Sequence, residues 1–168
     1  NVELIASGYT QSGNTITVPA NTSVRWKVSK YGYLTQTNTL IVSQDQTMNI
    51  TLESGACVFT VSPRPIDPQV TIMDVEAGTM VSGVGEQSKS TYVGNHMRCI
   101  VSKADYTTVV KDVTIEVPGT MTMTISLDTA SSTITLMTNV QGAAITMLAD
   151  GYTQAGNSIT VANGKRVD

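Results

Sequence analysis

Apolar and polar residues alternate with a period of two along much of this chain. In the segment 24–28 the apolar residues are Val24, Trp26 and Val28, and the residues between them are Arg25 and Lys27. The same alternation recurs in the segments 16–18, 40–42, 48–52, 59–61 and 113–115. A period of two places one face of a strand on a core and the other in water. We therefore predict that Val24, Trp26 and Val28 are buried and that Arg25 and Lys27 are exposed.

Turn-forming residues separate these segments. They cluster at Ser12–Asn14, Pro19–Asn21, Tyr31-Gly32, Pro63–Pro65 and Pro118-Gly119, and such clusters favour tight turns. No stretch of the sequence shows the 3.6-residue period of an amphipathic helix. Six or seven short strands in about 73 residues are typical of a small β-sandwich, so the predicted fold class is all-β.

An eleven-residue segment near the start of the chain returns near its end. Gly8–Val18 and Gly151–Val161 are identical at nine of eleven positions and lie 143 residues apart. Half of this spacing is also visible, because Val24–Tyr33 aligns with Met97–Tyr106 at an offset of 73 residues. We therefore predict tandem β-sandwich repeats of about 73 residues. Residues 1–55 form an incomplete first repeat, 56–129 a complete second repeat and 130–168 a partial third repeat.

Charge and composition narrow the classes of function. Charged residues make up only 14% of the chain and the net charge is −3. A nucleic-acid surface would need clustered Lys and Arg, so no nucleic-acid partner is expected. No apolar run approaches the ~20 residues of a membrane span, so no membrane insertion is expected. A module of ~73 residues buries only about 60% of its unfolded surface, so contacts between neighbouring repeats should contribute to stability.

The complete repeat resembles the PEGA-type and related Ig-like surface modules. The matching segments are Phe59–Pro63, Val70–Gly78, Val101–Lys103 with Tyr106, and Met121–Leu127. The repeat departs from the pattern at Ala104-Asp105, where glycine is expected, and in a longer loop over residues 74–89. The resemblance implies a structural or adhesive role, as in tandem arrays of gut bacteria and their phages. It implies no catalytic residue and no cofactor.

Candidate catalytic and metal-binding residues are few. His96 is the single histidine, so a His–His metal site within one chain is excluded, and we interpret it as a solvated residue of the turn Gly94–His96. Cys57 and Cys99 fall on inward positions of the second repeat. Buried free thiols are favoured over a disulfide between them. We therefore expect no metal site and no enzymatic activity.

The copied Gly-Tyr-Thr-Gln-x-Gly-Asn turn is the candidate site. It places an aromatic face beside amide groups, a combination that binds sugars by stacking and hydrogen bonding. The candidate glycan-contact residues are Tyr9, Gln11, Asn14, Tyr152, Gln154 and Asn157. In the alternative interpretation, which we favour, the tyrosine packs over the end of the sandwich. Gly and Asn then supply the positive-φ positions of the turn.

Two further tyrosines follow a lysine at the same spacing in both repeats. Tyr33 follows Lys30, and Tyr106 follows Lys103. We predict that each ring stacks on the edge of its sandwich and that each hydroxyl has a backbone partner, as in the tyrosine corner of other sandwiches.

Three classes of function fit this sequence. The first is a non-enzymatic structural module of a phage virion, in a fibre or in a capsid or tail decoration. The second is a bacterial cell-surface adhesin or extracellular filament module that binds a cell-surface glycan. The third is an accessory domain of a secreted enzyme. The expected location is accordingly a virion surface, the extracellular space or a cell surface, with other virion or surface-structure subunits as partners.

The incomplete repeats at the two ends of the sequence predict open sheet edges. A longer array with further repeats would complete them, and this explanation is favoured. Alternatively, separate copies complete each other head to tail, which would produce a homo-oligomer or a filament.

Overall fold

The computed structural model describes residues 1–141, 144–146, 149, 151–163 and 165–168. The predicted all-β fold class is confirmed, since every regular element of the described residues is a strand. In chain order these are β1 (Val2–Ile5), β2 (Thr10–Ser12), β3 (Thr15–Thr17), β4 (Thr22–Val28), β5 (Gln36–Val42), β6 (Ala56–Arg64), β7 (Gln69–Asp74), β8 (Thr79–Val84), β9 (Gln87–Tyr92), β10 (His96–Ser102), β11 (Val109–Thr114), β12 (Gly119–Ser126), β13 (Ser131–Thr135), β14 (Thr153–Ala155) and β15 (Ser158–Ala162).

The strands form small sheets whose order recurs along the chain. The sheet β1-β4-β5 corresponds to β7-β10-β11, to which β8 is added as a fourth strand. The sheet β12-β6-β9 corresponds in part to β13-β15-β14, while β2 and β3 form a separate hairpin. Residues 56–126 thus contain seven strands, the number expected for a complete small sandwich.

The first sheet confirms the burial predicted from the alternation. Trp26 in β4 lies opposite Leu4 in β1 and Asn38 in β5. Trp26 is 7% exposed and Val24 is 2% exposed, whereas Arg25 and Lys27 are exposed. Val28 is half-buried at the end of its strand. The alternation is therefore assigned to the correct face.

In the second repeat, alternate residues are fully buried along β6, β7 and β10. They are Phe59, Val61, Val70, Ile72, Met97, Cys99 and Val101. Ile72 lies opposite Cys99 in the antiparallel pair β7–β10, as Leu4 lies opposite Trp26 in the pair β1–β4. The alignment of Cys99 with Trp26 in the sequence is therefore matched by the pairing of their strands.

The last sheet has a small core of its own. Ile159 and Val161 in β15 are buried, and Ile145, Ala149 and Val167 pack against them. β15 pairs with β13 on one side and with the short β14 on the other. Threonine and serine hydroxyls pair across the strands, at 2.7 Å between Thr133 and Thr160 and between Thr135 and Ser158. Such cross-strand pairs stabilise a sheet face that is open to water.

Two predictions about individual segments are wrong. Met48–Leu52 alternates like a strand, but it joins no ladder, and Met48 is 47% exposed. The equivalent strand β12 lies beside β6, and the described residues place no such partner strand beside 48–52. The expected loop over 74–89 instead contains β8 and the start of β9. Its glycines and polar residues hide the period of two, although β8 pairs along its whole length with β7.

Contacts between Cα atoms divide the chain into two compact units. One contains Asn1–Val58, Ser90–Asn95 and Thr114–Met121, and the other contains Phe59–Lys89, His96–Val113 and Thr122–Asp168. The first holds the sheet β1-β4-β5 and the hairpin β2–β3, and the second holds β7, β8, β10 and the sheet β13-β15-β14. The repeat boundaries near residues 55 and 130 stay a prediction.

Candidate functional site

The two copies of the Gly-Tyr-Thr-Gln turn fold in the same way. In the first, Thr10 pairs with Thr17, Gln11 with Ile16 and Ser12 with Thr15. In the second, β14 and β15 pair in the same register, with Gln154 opposite Ile159. The central glycines Gly13 and Gly156 have φ of 58° and 56°. A positive φ at the first central position is the requirement of a type II′ hairpin turn, which explains the glycine.

The candidate glutamines are engaged within their own turns. The side-chain amide of Gln11 donates to the carbonyl of Gly13 at 3.0 Å, and that of Gln154 donates to Gly156 at 3.1 Å. Asn14 and Asn157 are exposed, and neither has the positive φ that the alternative interpretation assigned to them. The turn is thus fixed by its glycine and glutamine, and the asparagine amides face solvent.

The two candidate tyrosines stand on the surface. Tyr9 is 41% exposed and Tyr152 is 38% exposed. Each follows a glycine of positive φ, Gly8 at 63° and Gly151 at 66°. The sequence therefore places a tyrosine, a glutamine and an asparagine on each of two equivalent exposed hairpins, and nothing in this geometry assigns them a ligand.

The Lys-x-x-Tyr turns of the first two repeats are also equivalent. The amide of Tyr33 donates to Lys30 and that of Tyr106 donates to Lys103. The lysine ammonium lies over the tyrosine ring, 5.0 Å from its centroid in the first turn and 5.9 Å in the second. Within the described part of the chain neither hydroxyl has a hydrogen-bond partner, so the predicted tyrosine corner is wrong. A cation–π contact holds each ring instead.

A backbone connection recurs at the end of each Lys-x-x-Tyr turn. We call the first joint the residues Gly32, Gly55 and Val93, and the second joint Asp105, Ala130 and Asn163. At the first joint Gly55 donates to Gly32 at 2.9 Å and accepts from Val93 at 2.8 Å. At the second, Ala130 donates to Asp105 at 2.8 Å and accepts from Asn163 at 2.7 Å. At each joint, one residue (Gly55 or Ala130) thus connects the preceding Lys-x-x-Tyr turn to a segment more than 30 residues further along the chain.

Two tyrosine side chains lie beside the first joint. The rings of Tyr31 and Tyr92 lie edge to face, with their centroids 5.3 Å apart. The amide of Asn95 donates to the Tyr31 hydroxyl at 3.1 Å. Gly32 lies so close to Tyr92 that a Cβ there would stand 3.2 Å from the ring. We call Tyr31, Tyr92 and Asn95 the tyrosine cluster. The sequence interpretation missed this cluster, although the alignment of the first two repeats places Tyr31 at the position of Ala104.

His96 is exposed, as predicted, but it has a partner and begins β10. Its backbone amide donates to Oε2 of Glu76 at 2.6 Å, and its Nδ1 contacts Oε1 of the same carboxylate. These hydrogen bonds lower the pKa of Glu76. On the same strand, Arg98 holds Asp112 through two hydrogen bonds of 2.8 and 3.0 Å, which lower the pKa of the Asp112 carboxyl. Both pairs lie on exposed strand ends or faces.

Both thiols are free and buried, as the sequence favoured. Burial, and to a lesser degree the negative charge of Asp112, raises the pKa of the Cys99 thiol to about 11. Burial also raises the pKa of Cys57, against a smaller opposing effect of a backbone hydrogen bond from Met121. Thiols with raised pKa values are poor nucleophiles, since the thiolate is the reactive form.

Few other features could support chemistry. A shallow cleft of about 210 Å³ is lined by Cys57, Val58, Ser90 and Tyr92, among others. The described residues contain no group of three or more His, Cys, Asp or Glu side chains that could hold a metal ion. In the same part of the chain, no helix has the length and apolar character needed to cross a membrane.

No family model and no curated protein matches the chain. A solved structure of the Bacillus anthracis TIE protein is similar to it at 12% sequence identity and a TM-score of 0.40. The similarity covers 79% of this chain and 31% of that one, so this chain spans less than a third of the TIE protein's length.

Proposed function

We propose that this chain is a non-enzymatic structural module built from tandem Ig-like or PEGA-like β-sandwich repeats, and that it belongs to a fibre or a capsid or tail decoration of a phage virion. The observation that carries the structural role is the recurrence of the joint. Backbone N–H and C=O groups of three residues connect in the same way around Gly55 and around Ala130. A connection that recurs along a chain is the basis of an extended array in repeat proteins.

The side chains around the sheets agree with this role. The exposed faces carry paired hydroxyls, as in Thr60 with Ser88 at 2.8 Å and Thr135 with Ser158 at 2.7 Å. The thiols that could serve as nucleophiles are buried and have raised pKa values. A surface of this kind supports assembly with other virion or surface subunits better than it supports catalysis.

Electron microscopy of native particles tests the location. Antibodies raised against the purified chain are coupled to gold. They are applied to phage particles and to intact bacterial cells whose genomes encode the chain. Label on a phage head, tail or fibre is the expected result. Label confined to a bacterial cell envelope would overturn the virion assignment and support a cell-surface adhesin.

The second candidate is a glycan-binding adhesin module, favoured by the two copied hairpins. Tyr9 and Tyr152 are exposed at equivalent places, with Asn14 and Asn157 at the adjacent turns. Exposed tyrosine rings stack on sugars, and free amides bind their hydroxyls. The glutamines Gln11 and Gln154 would act by fixing the turns, because their amide groups are already bonded to Gly13 and Gly156.

A glycan array tests this second candidate. The wild-type chain should bind a subset of printed oligosaccharides, and a variant with both Tyr9→Ala and Tyr152→Ala should lose that binding. The matched variant with Tyr9→Phe and Tyr152→Phe keeps the rings and should retain most of it. Absence of wild-type binding across the array, or equal binding by the alanine variant, would reject the hairpins as glycan contacts.

A further inference from the structure

We propose that the tyrosine cluster is a coupling contact that makes the first joint more stable than the second. The inference goes beyond the proposed function, because it holds for whichever particle or surface carries the chain. It follows from comparing two joints whose backbones are equivalent and whose side chains are not.

The equivalence of the positions rests on hydrogen bonds. Tyr31 lies in a turn closed by a hydrogen bond from the Tyr33 amide to the Lys30 carbonyl. Ala104 lies in a turn closed by the corresponding bond from the Tyr106 amide to the Lys103 carbonyl. The turn that follows Tyr92 has a bond from Asn95 to Tyr92 at 3.1 Å, and the turn that follows Ala162 has a bond from Lys165 to Ala162 at 3.3 Å. Tyr31 and Tyr92 at the first joint therefore correspond to Ala104 and Ala162 at the second.

The second joint shows that neither turn needs an aromatic residue. Its backbone bonds form with Ala104 and Ala162 in place, at distances as short as those of the first joint. Tyr31 is 64% exposed, so its ring is not placed there to fill a core. What the ring does contact is Tyr92 and, through its hydroxyl, Asn95. The cluster therefore acts between the two sides of the joint.

Gly32 is matched to this contact. Its φ is 81°, and the equivalent residue Asp105 also has a positive φ, of 65°. The backbone conformation alone therefore does not require glycine at this position. The ring of Tyr92, however, would lie 3.2 Å from a Cβ at Gly32, which is closer than ordinary packing allows. Glycine at this position lets the tyrosine ring approach the turn, and Asp105 is tolerated at the second joint, where alanine replaces the ring.

Amide hydrogen exchange of the full chain, measured by NMR, tests the coupling. The reporters are the amides that close the joints, Gly55 and Val93 for the first and Ala130 and Asn163 for the second. Tyr31→Ala should speed exchange at Gly55 and Val93 about tenfold or more, given the usual worth of an aromatic pair and a hydrogen bond. It should leave Ala130, Asn163 and the amides of β4 and β10 unchanged.

Companion variants separate the contributions. Tyr31→Phe keeps the ring pair, loses the bond from Asn95 and should have an intermediate effect, and Tyr152→Ala is a control that should alter neither joint. Gly32→Ala should speed exchange at the first joint, and Tyr92→Ala added to it should cause no further acceleration. If Tyr31→Ala leaves Gly55 and Val93 at wild-type rates while the chain stays folded, the cluster does not couple the joint and the inference is wrong.

Discussion

At the scale of single residues, Trp26 is the largest side chain in the first sheet. It is 7% exposed and lies in the central strand β4, between Leu4 and Asn38. Its indole Nε1 is buried and has no hydrogen-bond partner within the described residues. The ring therefore contributes through the apolar area it removes from water rather than through a polar contact.

Trp26→Ala should destabilise the protein by about 3–5 kcal/mol, the usual cost of removing a large buried aromatic side chain. Trp26→Phe should cost markedly less, because it keeps much of the apolar area and removes an unpaired N–H. Urea unfolding followed by circular dichroism measures both variants. A loss below about 1 kcal/mol for the alanine variant would contradict the burial of this residue.

The Tyr33 and Tyr106 hydroxyls contribute no hydrogen bond among the described residues, whereas each ring lies under a lysine ammonium. Tyr33→Phe and Tyr106→Phe should therefore be close to neutral in urea unfolding. Lys103→Met should be more costly than Tyr106→Phe, because it removes the cation from the ring and the hydrogen bond from Lys103 Nζ to the carbonyl of Ile66 at 2.8 Å. A Tyr106→Phe variant that is less stable than Lys103→Met would contradict this order.

The buried thiol of Cys99 gives a chemical prediction. With a pKa of about 11, about one thiol in a thousand is ionised at pH 8, and the side chain is shielded as well. In a Cys57→Ser variant, iodoacetamide should modify Cys99 only after urea is added, as mass spectrometry would show. Equal rates of modification in the folded and the unfolded chain would show that the thiol is accessible.

At the scale of elements, the sequence predicted strands best where a core faces them. β4, β6 and β10 have strict alternation because one side of each is buried. β8 escaped prediction because its residues pair with β7 without a buried apolar face of their own. Met48–Leu52 has the alternation without the ladder, since a strand needs a neighbour that no local pattern specifies.

The candidate site was predictable in its location and only partly in its contacts. An eleven-residue segment copied with nine identical positions identified the two hairpins, and the structure gives both hairpins the same register. The bond from the glutamine amide to the glycine carbonyl could not be predicted, because it depends on the turn type. The tyrosine cluster joins residues 61 positions apart, Tyr31 and Tyr92, and only a comparison of repeats would have pointed to it.

The hairpin turn itself is testable at Gly13 and Gly156. A Cβ at Gly13 or Gly156 would contact no other atom within 4 Å, so the cost of Gly13→Ala or Gly156→Ala comes from positive φ alone. That cost should be about 1 kcal/mol in each copy. NMR exchange of the amides in β3 and β15 measures it, with Ser12→Ala as the control. Unequal costs in the two copies would mean that the hairpins differ in conformation.

At the scale of the whole chain, the joints show how repeats of different sequence can be connected alike. Each joint is closed by backbone N–H and C=O groups of three residues, Gly32, Gly55 and Val93 or Asp105, Ala130 and Asn163. Backbone groups are the same in every repeat, so the same connection forms with Gly55 at the first joint and with Ala130 at the second. Side chains such as those of the tyrosine cluster can then adjust the strength of one joint without changing the other.

The acid stability of the folded chain should depend on the pair Arg98–Asp112. The bonds from Arg98 lower the pKa of Asp112 below its usual 3.8. A carboxyl whose pKa is lower in the folded state binds fewer protons there than in the unfolded state near pH 3–4. The pair therefore stabilises the fold fully above about pH 5, and its contribution is lost as the pH falls through the folded pKa.

Urea unfolding of wild type and Asp112→Asn at pH 7, 4 and 2 measures this contribution. The variant should have the lower midpoint at pH 7, and the difference should shrink steadily as the pH falls, because the wild-type carboxyl then becomes neutral too. Asp45→Asn is the matched control, since Asp45 is exposed and is absent from the ion pairs of the described residues, and it should show no such trend. A midpoint difference that stays the same at all three pH values would mean that the Asp112 carboxylate does not stabilise the fold through its charge.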